Sequence, residues 1–169
     1  TDGAALLADL QGELGRLVAD LDGKVREVAE VREPLEREGR TAFDAGRIGR
    51  TFEAWLEDRL TQVAVGWLLA CVFVRFGEDN GLIDEPLLSG PGDRGAVARA
   101  AQQRYFTDHP HDSDRDYLHH VFRRAAALPG LAGVVGEGES PLWLVDPPAD
   151  ACTRLLAVFR RATEAGGLV

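Results

Sequence analysis

The sequence predicts an all-α fold, a single helical domain of five or six helices around a buried central helix. Apolar residues recur every three or four positions through residues 1–38, and the segment 51–81 is apolar on every helical face. Residues 93–169 contain further amphipathic segments between proline and glycine turns, with little sign of the two-residue period of a strand. A chain of 169 residues suits one such domain.

Residues 1–38 are interpreted as one long amphipathic helix or a helix pair. Asp22-Gly23 is one candidate break, and Pro34 is expected to kink or end the helix because it lacks an amide donor. The apolar stripe could pack on the central helix or mate with a second chain. Interior glycines interrupt the repeat, which favours intramolecular packing. The stripe comprises Leu7, Leu10, Leu14, Leu17, Leu21, Val25, Val28, Val31 and Leu35.

The segment 51–81 is predicted to form the central helix, after a connecting loop from Gly39 to Arg50. Thr51 is the expected N-cap, and Asn80-Gly81 is expected to end the helix. No charged side chain occurs between Val63 and Val74, and this pattern is typical of a helix buried all round. A membrane span needs about 20 predominantly apolar residues, and charged residues close both ends here. We therefore expect a helix of a soluble domain and no membrane partner.

The remainder, residues 93–169, is predicted to be helical. Asp93 is expected to cap a helix that stops near Asp108-His109-Pro110. Asp112 or Ser113 is expected to begin the next helix, and the last runs from about Pro148 to Ala165. Four apolar residues before this region are expected to tuck the preceding linker against the core: Leu82, Ile83, Leu87 and Leu88.

Composition limits the classes of function. The formal net charge of −9 argues against a strong independent nucleic-acid binder, because attraction to phosphate supplies most non-specific affinity. Three arginine pairs are candidate basic patches, although solvated helix surfaces are the favoured interpretation: Arg47 with Arg50, Arg123 with Arg124, and Arg160 with Arg161. Cys71 and Cys152 form no metal-binding pattern and are expected to be free thiols. The N-terminus shows no export signal, so we expect a cytoplasmic protein.

Two short motifs suggest chemistry but lack its essential parts. Asp146-Pro147-Pro148 matches the start of the [N/D]PP[Y/F] loop with which adenine methyltransferases hold a flipped base. The fourth residue is Ala149, so the stacking ring is missing, and no glycine-rich cofactor loop precedes it. We favour a helix start capped by Asp146. Gly136-Glu137-Gly138 is a lone GxG, which is more typical of a surface loop than of a nucleotide-binding turn.

The segment 108–116, rich in histidine and aspartate, is the one dense cluster of candidate metal ligands. His109, His111 and the neighbouring aspartates could bind a divalent cation, but the same carboxylates suit a helix N-terminus. His119 and His120 have no catalytic partner at a recognisable spacing. Three tryptophans could form a stacking platform, but their apolar neighbours favour a role in the core: Trp55, Trp67 and Trp143. We therefore predict no catalytic, cofactor-binding or metal-binding residue.

Taken together, several stretches of the chain resemble the N-terminal region of the PglX family, the adenine-specific DNA methyltransferases of type 2 BREX, or phage growth limitation, systems. The resemblance covers almost the whole chain and is strongest from Thr51 to Gly81. The stretches that carry it include TFEAWLEDRLTQVAVGWLLACVFVRFGEDNGLI, LSGPG, QQRYFTDHPHDSDRDYLHHVF, LPGLAGV and SPLWLVDPPADACTRLLAVFRR.

The resemblance implies a fragment or N-terminal domain of a longer modification enzyme. In that family the cofactor loop and the [N/D]PPY motif lie downstream, so S-adenosylmethionine is implied for the parent and no cofactor for this fragment. The implied partners are the catalytic region of the parent chain, other BREX proteins or DNA. The alternative is a stand-alone acidic helical interaction module that could form a homodimer through the N-terminal stripe.

Overall fold

The computed structural model describes residues 3–46, 49 and 51–164, and within them the fold is all-α, as predicted. No strand occurs in these ranges. Seven α-helices and one 3₁₀ turn, Pro141–Leu144, make up the described fold. The helices are α1 (Gly3–Glu27), α2 (Ala29–Asp44), α3 (Phe52–Asp79), α4 (Arg94–Asp108), α5 (Asp114–Ala126), α6 (Ala132–Val135) and α7 (Ala149–Glu164).

The N-terminal segment is a helix pair, but neither candidate break is where the chain divides. The break falls at Val28, whose extended backbone (φ −113°, ψ 107°) separates α1 from α2. Asp22-Gly23 stays helical within α1, and Pro34 lies inside α2 without ending it. The carbonyl that Pro34 deprives of a donor belongs to Glu30, an exposed residue, so water can replace the missing amide.

The predicted loop from Gly39 to Arg50 is wrong over its first half, because α2 continues to Asp44. Gly39 is buried and allows close packing: a Cβ added there would lie 2.7 Å from the ring of Phe52 and 3.0 Å from that of Trp55. The missing side chain of Gly39 thus lets α2 pack against the start of α3.

The N-terminal stripe packs inside the domain. Leu17, Leu21 and Val25 are fully buried and belong to the same core as α3. Farther toward the N-terminus, Leu7 is exposed. Intramolecular packing, the favoured alternative, is therefore confirmed for the central part of the stripe.

Helix α3 begins and ends as predicted. The Thr51 hydroxyl accepts a hydrogen bond from the amide of Ala54, and Gly81 adopts a left-handed conformation (φ 69°) directly after the C-cap, Asn80. By length and composition the helix could cross a membrane, a test that core helices of soluble proteins also pass. In its most apolar window, 61% of the residues are buried within the fold.

The prediction that α3 is buried on every face is wrong for one face. Leu69, Phe73 and Phe76 are 44%, 39% and 52% exposed, although they belong to the most apolar helix of the domain. The spacing of four and three places them on the same side. Hydrophobicity alone did not distinguish this side from those that α1 and the C-terminal half cover.

The 3₁₀ turn packs closely against the middle of α3. The fully buried Trp67 donates its indole N–H to the carbonyl of Leu142 at 2.9 Å, with the carbonyl of Val145 at 3.3 Å. Gly66 provides the space, since a Cβ there would lie 3.0 Å from the Leu142 backbone nitrogen. A tryptophan and a glycine on adjacent positions thus fix the C-terminal half of the chain to the central helix.

The linker after α3 is held by one buried carboxylate. Glu78 is fully buried, and its two oxygens accept hydrogen bonds at 2.7–2.8 Å from four consecutive amides, those of Leu87, Leu88, Ser89 and Gly90. Leu87 and Leu88 are buried and Ile83 is half-buried, as expected, whereas Leu82 is 62% exposed. A charge-assisted polar contact therefore holds the linker together with the apolar contacts that the sequence predicts.

Other side chains bind the carbonyl groups of the same linker. Tyr117 of α5 donates its hydroxyl to the carbonyl of Leu87 at 2.7 Å. Arg160 of α7 donates to the carbonyl of Leu88 at 3.1 Å, and Arg94 reaches the carbonyl of Ile83 at 2.7 Å. The linker is therefore the point at which α3, α4, α5 and α7 are joined.

The remaining helix starts agree with prediction in one case and differ in another. Ser113 begins α5 with a capping box, in which the Asp116 carboxylate accepts from the Ser113 amide at 2.8 Å. Asp93 precedes α4 as expected, but its side chain makes no cap hydrogen bond. The end predicted for the last helix, Ala165, lies outside the described residues.

Substitution of two helical glycines by alanine is expected to have opposite effects. Gly66→Ala should lower the free energy of unfolding by about 1–3 kcal/mol, because the new methyl group meets the backbone of the 3₁₀ turn. Gly12→Ala, at an exposed position with nothing near the new Cβ, should raise it by about 1 kcal/mol. Urea unfolding followed by circular dichroism measures both. A neutral Gly66→Ala variant would contradict the close packing of α3 against the 3₁₀ turn.

Glu78→Gln should lower the free energy of unfolding by about 3 kcal/mol or more. The amide group keeps one acceptor oxygen but directs N–H donors at backbone amides that it cannot satisfy. Glu137→Gln, on the surface, is the control and should change stability by no more than about 0.5 kcal/mol. Equal unfolding midpoints for the two variants in urea would exclude the role assigned to Glu78.

Candidate functional site

Asp146 lies at a junction of polar side chains from three parts of the chain. Its carboxylate oxygen is 2.9 Å from Nε2 of His119 on α5. Its backbone carbonyl accepts a hydrogen bond at 2.6 Å from the ammonium group of Lys24 on α1. The segment that follows the 3₁₀ turn therefore contacts α1 and α5 through one residue.

Two tryptophans flank the histidine of this junction. The His119 ring centroid is 5.4 Å from that of Trp67 and 4.8 Å from that of Trp143. The indole of Trp143 donates its N–H to the carbonyl of Val135 at 2.8 Å, and the guanidinium of Arg123 lies 5.0 Å from the Trp143 ring. Only 12% of the His119 side chain is exposed, so its orientation is fixed by packing as well as by Asp146.

The electrostatics of the junction favour an ionised Asp146. Burial by itself raises the pKa of Asp146, but the contact with His119 and the charges of His119, Lys24 and Arg115 outweigh burial and hold it below its ordinary range. The pKa of Lys24 is lowered, mainly by burial and then by the charge of Arg115. The carboxylate is thus held in its charged form by its neighbours.

A cleft of about 250 Å³ opens beside this junction. Lys24, Asp146 and Trp143 line one side of it, and the acidic residues Glu30 and Glu38 lie on α2 opposite. In the base-binding loop of an adenine methyltransferase, the polar side chain and the backbone carbonyl hold the target amine. Here both groups of Asp146 are engaged within the domain, and Ala149 provides no ring for stacking.

The expectation that Asp146 caps the last helix is wrong. Helix α7 begins three residues later, at Ala149, and the amide of Cys152 binds the carbonyl of Pro148. The carboxylate of Asp146 is directed to His119, which is distant in sequence. Pro147 and Pro148 precede the helix instead of occupying its first turn, where Asp150 lies.

The carboxylates of the histidine- and aspartate-rich segment serve local structure. Asp112 accepts a hydrogen bond from the Tyr105 hydroxyl at 2.6 Å, and Asp116 completes the capping box of α5. Asp114 accepts from Gln102 and from Thr153, which connects α5 to α4 and α7. Among the described residues, no three histidine, cysteine or acidic side chains are grouped so that they could hold a metal ion.

The other histidines of this region pack against aromatic rings. His109 stacks on Tyr105 with the centroids 4.4 Å apart, and His111 is exposed. The ring of His120 lies 5.0 Å from that of Tyr105. Burial, followed by the charge of Arg124, lowers the pKa of His120, which favours its neutral form. The structure therefore brings His109 and His120 to one aromatic cluster around Tyr105.

The described arginine pairs do not act as paired cations on one surface. Arg123 contacts Glu137 at 2.5 Å, and its neighbour Arg124 is exposed. Arg160 is half-buried, where it binds Gln102 at 2.7 Å, and Arg161 is exposed. Arg47 and Arg50, the remaining candidate pair, lie outside the described residues.

The GxG segment forms the turn between α6 and the 3₁₀ turn. The amide of Gly136 binds the carbonyl of Ala132 at 2.7 Å, and Gly138 has a positive φ of 82°. Glu137 and Gly138 are exposed, as expected for a surface turn, although Gly136 is buried. The structure thus supports the interpretation of this motif as a connection.

The tryptophans contribute to the core, as expected, and both cysteines lie in it as well. Trp67 is fully buried, and Trp55 and Trp143 are half-buried against the same cluster. Cys71 and Cys152 are free and buried, and burial raises the pKa of both thiols, that of Cys152 to about 12. Neither thiol is therefore prepared for nucleophilic chemistry at neutral pH.

Comparison with known proteins confirms the resemblance expected from the sequence. The chain is 37% identical over 171 aligned positions, or 99% of its length, to the adenine-specific methyltransferase PglX of Streptomyces coelicolor. The alignment covers 14% of that protein, so the chain spans about one seventh of its length. No family profile matches the chain, and no solved structure matches it.

The contribution of Asp146 to stability is expected to disappear in acid. Because its folded-state pKa lies below the ordinary value of 3.8, the stabilisation is present above that pH and is lost as the pH falls through the folded-state pKa. Asp146→Asn should therefore lower the free energy of unfolding by about 1 kcal/mol at pH 6 and by progressively less below pH ~4. Urea unfolding across this range measures the difference.

The matched control is Asp93→Asn, at an exposed carboxylate that makes no cap hydrogen bond. It should change stability by less than about 0.5 kcal/mol at either pH. A loss for Asp146→Asn that is independent of pH would show that the ionised carboxylate is not the source of the stabilisation.

Proposed function

We propose that this chain is an N-terminal, helical accessory domain of an adenine-specific DNA methyltransferase that acts in BREX-type defence against phage. The observation that carries the proposal is the 37% identity to PglX across nearly the whole chain, together with the 14% of PglX that is matched. In this proposal the longer parent, located in the cytoplasm, transfers a methyl group from S-adenosylmethionine to adenine in DNA. The domain itself performs no chemistry.

The geometry around Asp146 supports a non-catalytic role. A base-binding loop needs an acceptor that is free to receive the amino group of the target base. The carboxylate of Asp146 is beside His119, and its carbonyl accepts from Lys24. These contacts connect the segment after the 3₁₀ turn to α1 and α5, so the loop is suited to maintaining the fold.

Charge favours support of the catalytic region over direct contact with DNA. The chain carries a formal net charge of −9, which repels phosphate. Arg123 is beside Glu137, and Arg160 is held by the linker and by Gln102. We therefore propose that the domain's principal partner is the catalytic region of its parent chain, with other defence proteins as secondary partners.

The alternative, a stand-alone acidic module that dimerises through the N-terminal stripe, is less well supported. The central residues of that stripe, Leu17, Leu21 and Val25, are fully buried in the monomer. They cannot form an interface between chains unless α1 leaves the core.

The proposal is tested with three polypeptides: this chain, the unmatched remainder of Streptomyces coelicolor PglX, and a chimera in which this chain replaces the matched segment. Each is incubated with S-adenosylmethionine carrying a labelled methyl group and with adenine-containing DNA. We expect no transfer by this chain, activity in the chimera, and activity at least about tenfold lower in the remainder alone.

Two results would contradict the proposal. Methyl transfer by this chain alone would mean that it contains a catalytic site. A remainder as active as the chimera would mean that methylation does not need the domain. Asp146→Asn in the chimera is the control for the motif: it should leave the turnover number within about twofold, since Asp146 is proposed to contact no substrate.

A further inference from the structure

The exposed side of α3 forms a continuous apolar surface. We define the α3 face as Val65, Leu69, Phe73 and Phe76, of which the last three are the exposed large apolar residues of this helix. Two exposed polar residues, Gln62 and Asn80, mark its ends on the same side of the helix. Three large exposed apolar side chains and the half-buried Val65 on one helical side, with polar ends, are typical of a surface that packs against another helix.

A groove runs along one edge of the α3 face. Its volume is about 420 Å³, and Gly133, Val134 and Pro141 form its far wall, opposite Leu69 and Phe73. Among the residues that the structure describes, none with a charged side chain lines it. Such a groove can accept the apolar side chains of a helix laid along α3, in the manner of other helix-in-groove contacts.

The dimensions of the α3 face disfavour a lipid partner. From Val65 to Phe76 it extends roughly 16 Å at 1.5 Å per residue, whereas the hydrocarbon core of a bilayer is about 30 Å thick. Around and beyond Phe76 the same helix carries Arg75 and Asp79 as a buried ion pair at 2.8 Å, and Glu78 with four backbone donors. The helix therefore packs against other parts of the domain on its remaining sides and at its C-terminal end.

Charge disfavours a second copy of the chain as the partner. Two copies would each carry a formal net charge of −9, so their approach along any face is opposed by repulsion. The PglX to which the chain is similar contains much more polypeptide than this chain matches, because the alignment spans 14% of it. In a protein of that kind, the additional polypeptide is covalently linked to the domain and is therefore present at a high effective concentration.

We propose that the α3 face is the docking surface for an amphipathic helix from the remainder of a PglX-like parent chain. This inference rests on the proposed function, and it specifies the surface through which the domain contacts the rest of its parent chain. The docked helix would place its apolar side chains over Leu69, Phe73 and Phe76 and in the adjoining groove. The apolar composition of the most hydrophobic helix would then serve two interfaces, one within the domain and one with its parent.

The test measures the accessibility of a cysteine placed on the α3 face. Leu69→Cys and Val97→Cys form a matched pair, because the native side chains are 44% and 43% exposed and lie on α3 and α4. The native cysteines are both buried and provide a low background. Labelling with a water-soluble maleimide is followed by mass spectrometry, in this chain alone and in the chimera with PglX of Streptomyces coelicolor.

We expect the cysteine of Leu69→Cys to react at least about tenfold more slowly in the chimera than in the isolated chain. The cysteine of Val97→Cys should react at rates that agree within about twofold between the chimera and the isolated chain. Phe73→Cys should repeat the result for Leu69→Cys. The unmatched remainder of PglX can also be added in excess, as a separate polypeptide, to the two cysteine variants of the isolated chain. It should slow the reaction of Leu69→Cys and leave that of Val97→Cys unchanged. This result would not depend on the fusion.

Three results would overturn the inference. Equal rates at Leu69→Cys in both contexts and no effect of the added remainder would mean that the α3 face is not covered by the parent. Protection that rises with the concentration of the isolated chain would identify a second copy as the occupant. Protection by phosphatidylglycerol vesicles, but not by the remainder, would identify a lipid surface.

Methylation by the same chimera separates this inference from the proposed function. An active chimera whose activity needs the domain, yet whose Leu69→Cys reacts freely, would reject the docking surface and leave the accessory role intact. A protected cysteine in a chimera whose activity does not need the domain would support the docking surface and reject the accessory role.

Discussion

The buried carboxylate of Glu78 is the interaction on which the arrangement of the C-terminal half depends. A charge without water must be matched by donors, and four consecutive amides of the linker provide them. The same linker offers its carbonyls to Tyr117 and Arg160, so α5 and α7 take their positions from it. An irregular segment, usually the least determined part of a helical protein, here becomes the reference to which helices are fixed.

The second constraint is the contact between α3 and the 3₁₀ turn, where Gly66 and Trp67 act together. It holds Trp143 and Asp146 near α5, and from it follow the His119 contact and the hydrogen bond from Lys24. In the motif that most resembles a methyltransferase loop, Asp146-Pro147-Pro148, the polar groups of Asp146 thus form tertiary contacts. Similarity to a methyltransferase is compatible with an Asp146 whose carboxylate and carbonyl are both engaged within the domain, because the matched region is a small part of the larger protein.

The features that could be predicted from the sequence are those that depend on interactions between residues close together in the chain. The caps at Thr51 and Ser113, the end of α3 at Gly81 and the all-α class all follow from residue preferences that act over one helical turn. The sequence did not predict that Gly39 lies in a helix or that Asp146 turns toward His119, since both depend on partners distant in the chain. The exposed side of α3 was missed for a related reason: composition reports that a helix is apolar, and only the positions of its neighbours report which side they leave uncovered.

The four amides bound to Glu78 also restrict how the domain can change in length. Surface segments between helices usually accept insertions and deletions freely. In this linker each added or removed residue would shift the amides of Leu87 to Gly90 relative to a carboxylate fixed on α3, and would misplace the carbonyls that Tyr117 and Arg160 bind. Length variation among homologous domains should therefore avoid the interval from Glu78 to Gly90 and collect in turns such as the one at Gly138, where no such register exists.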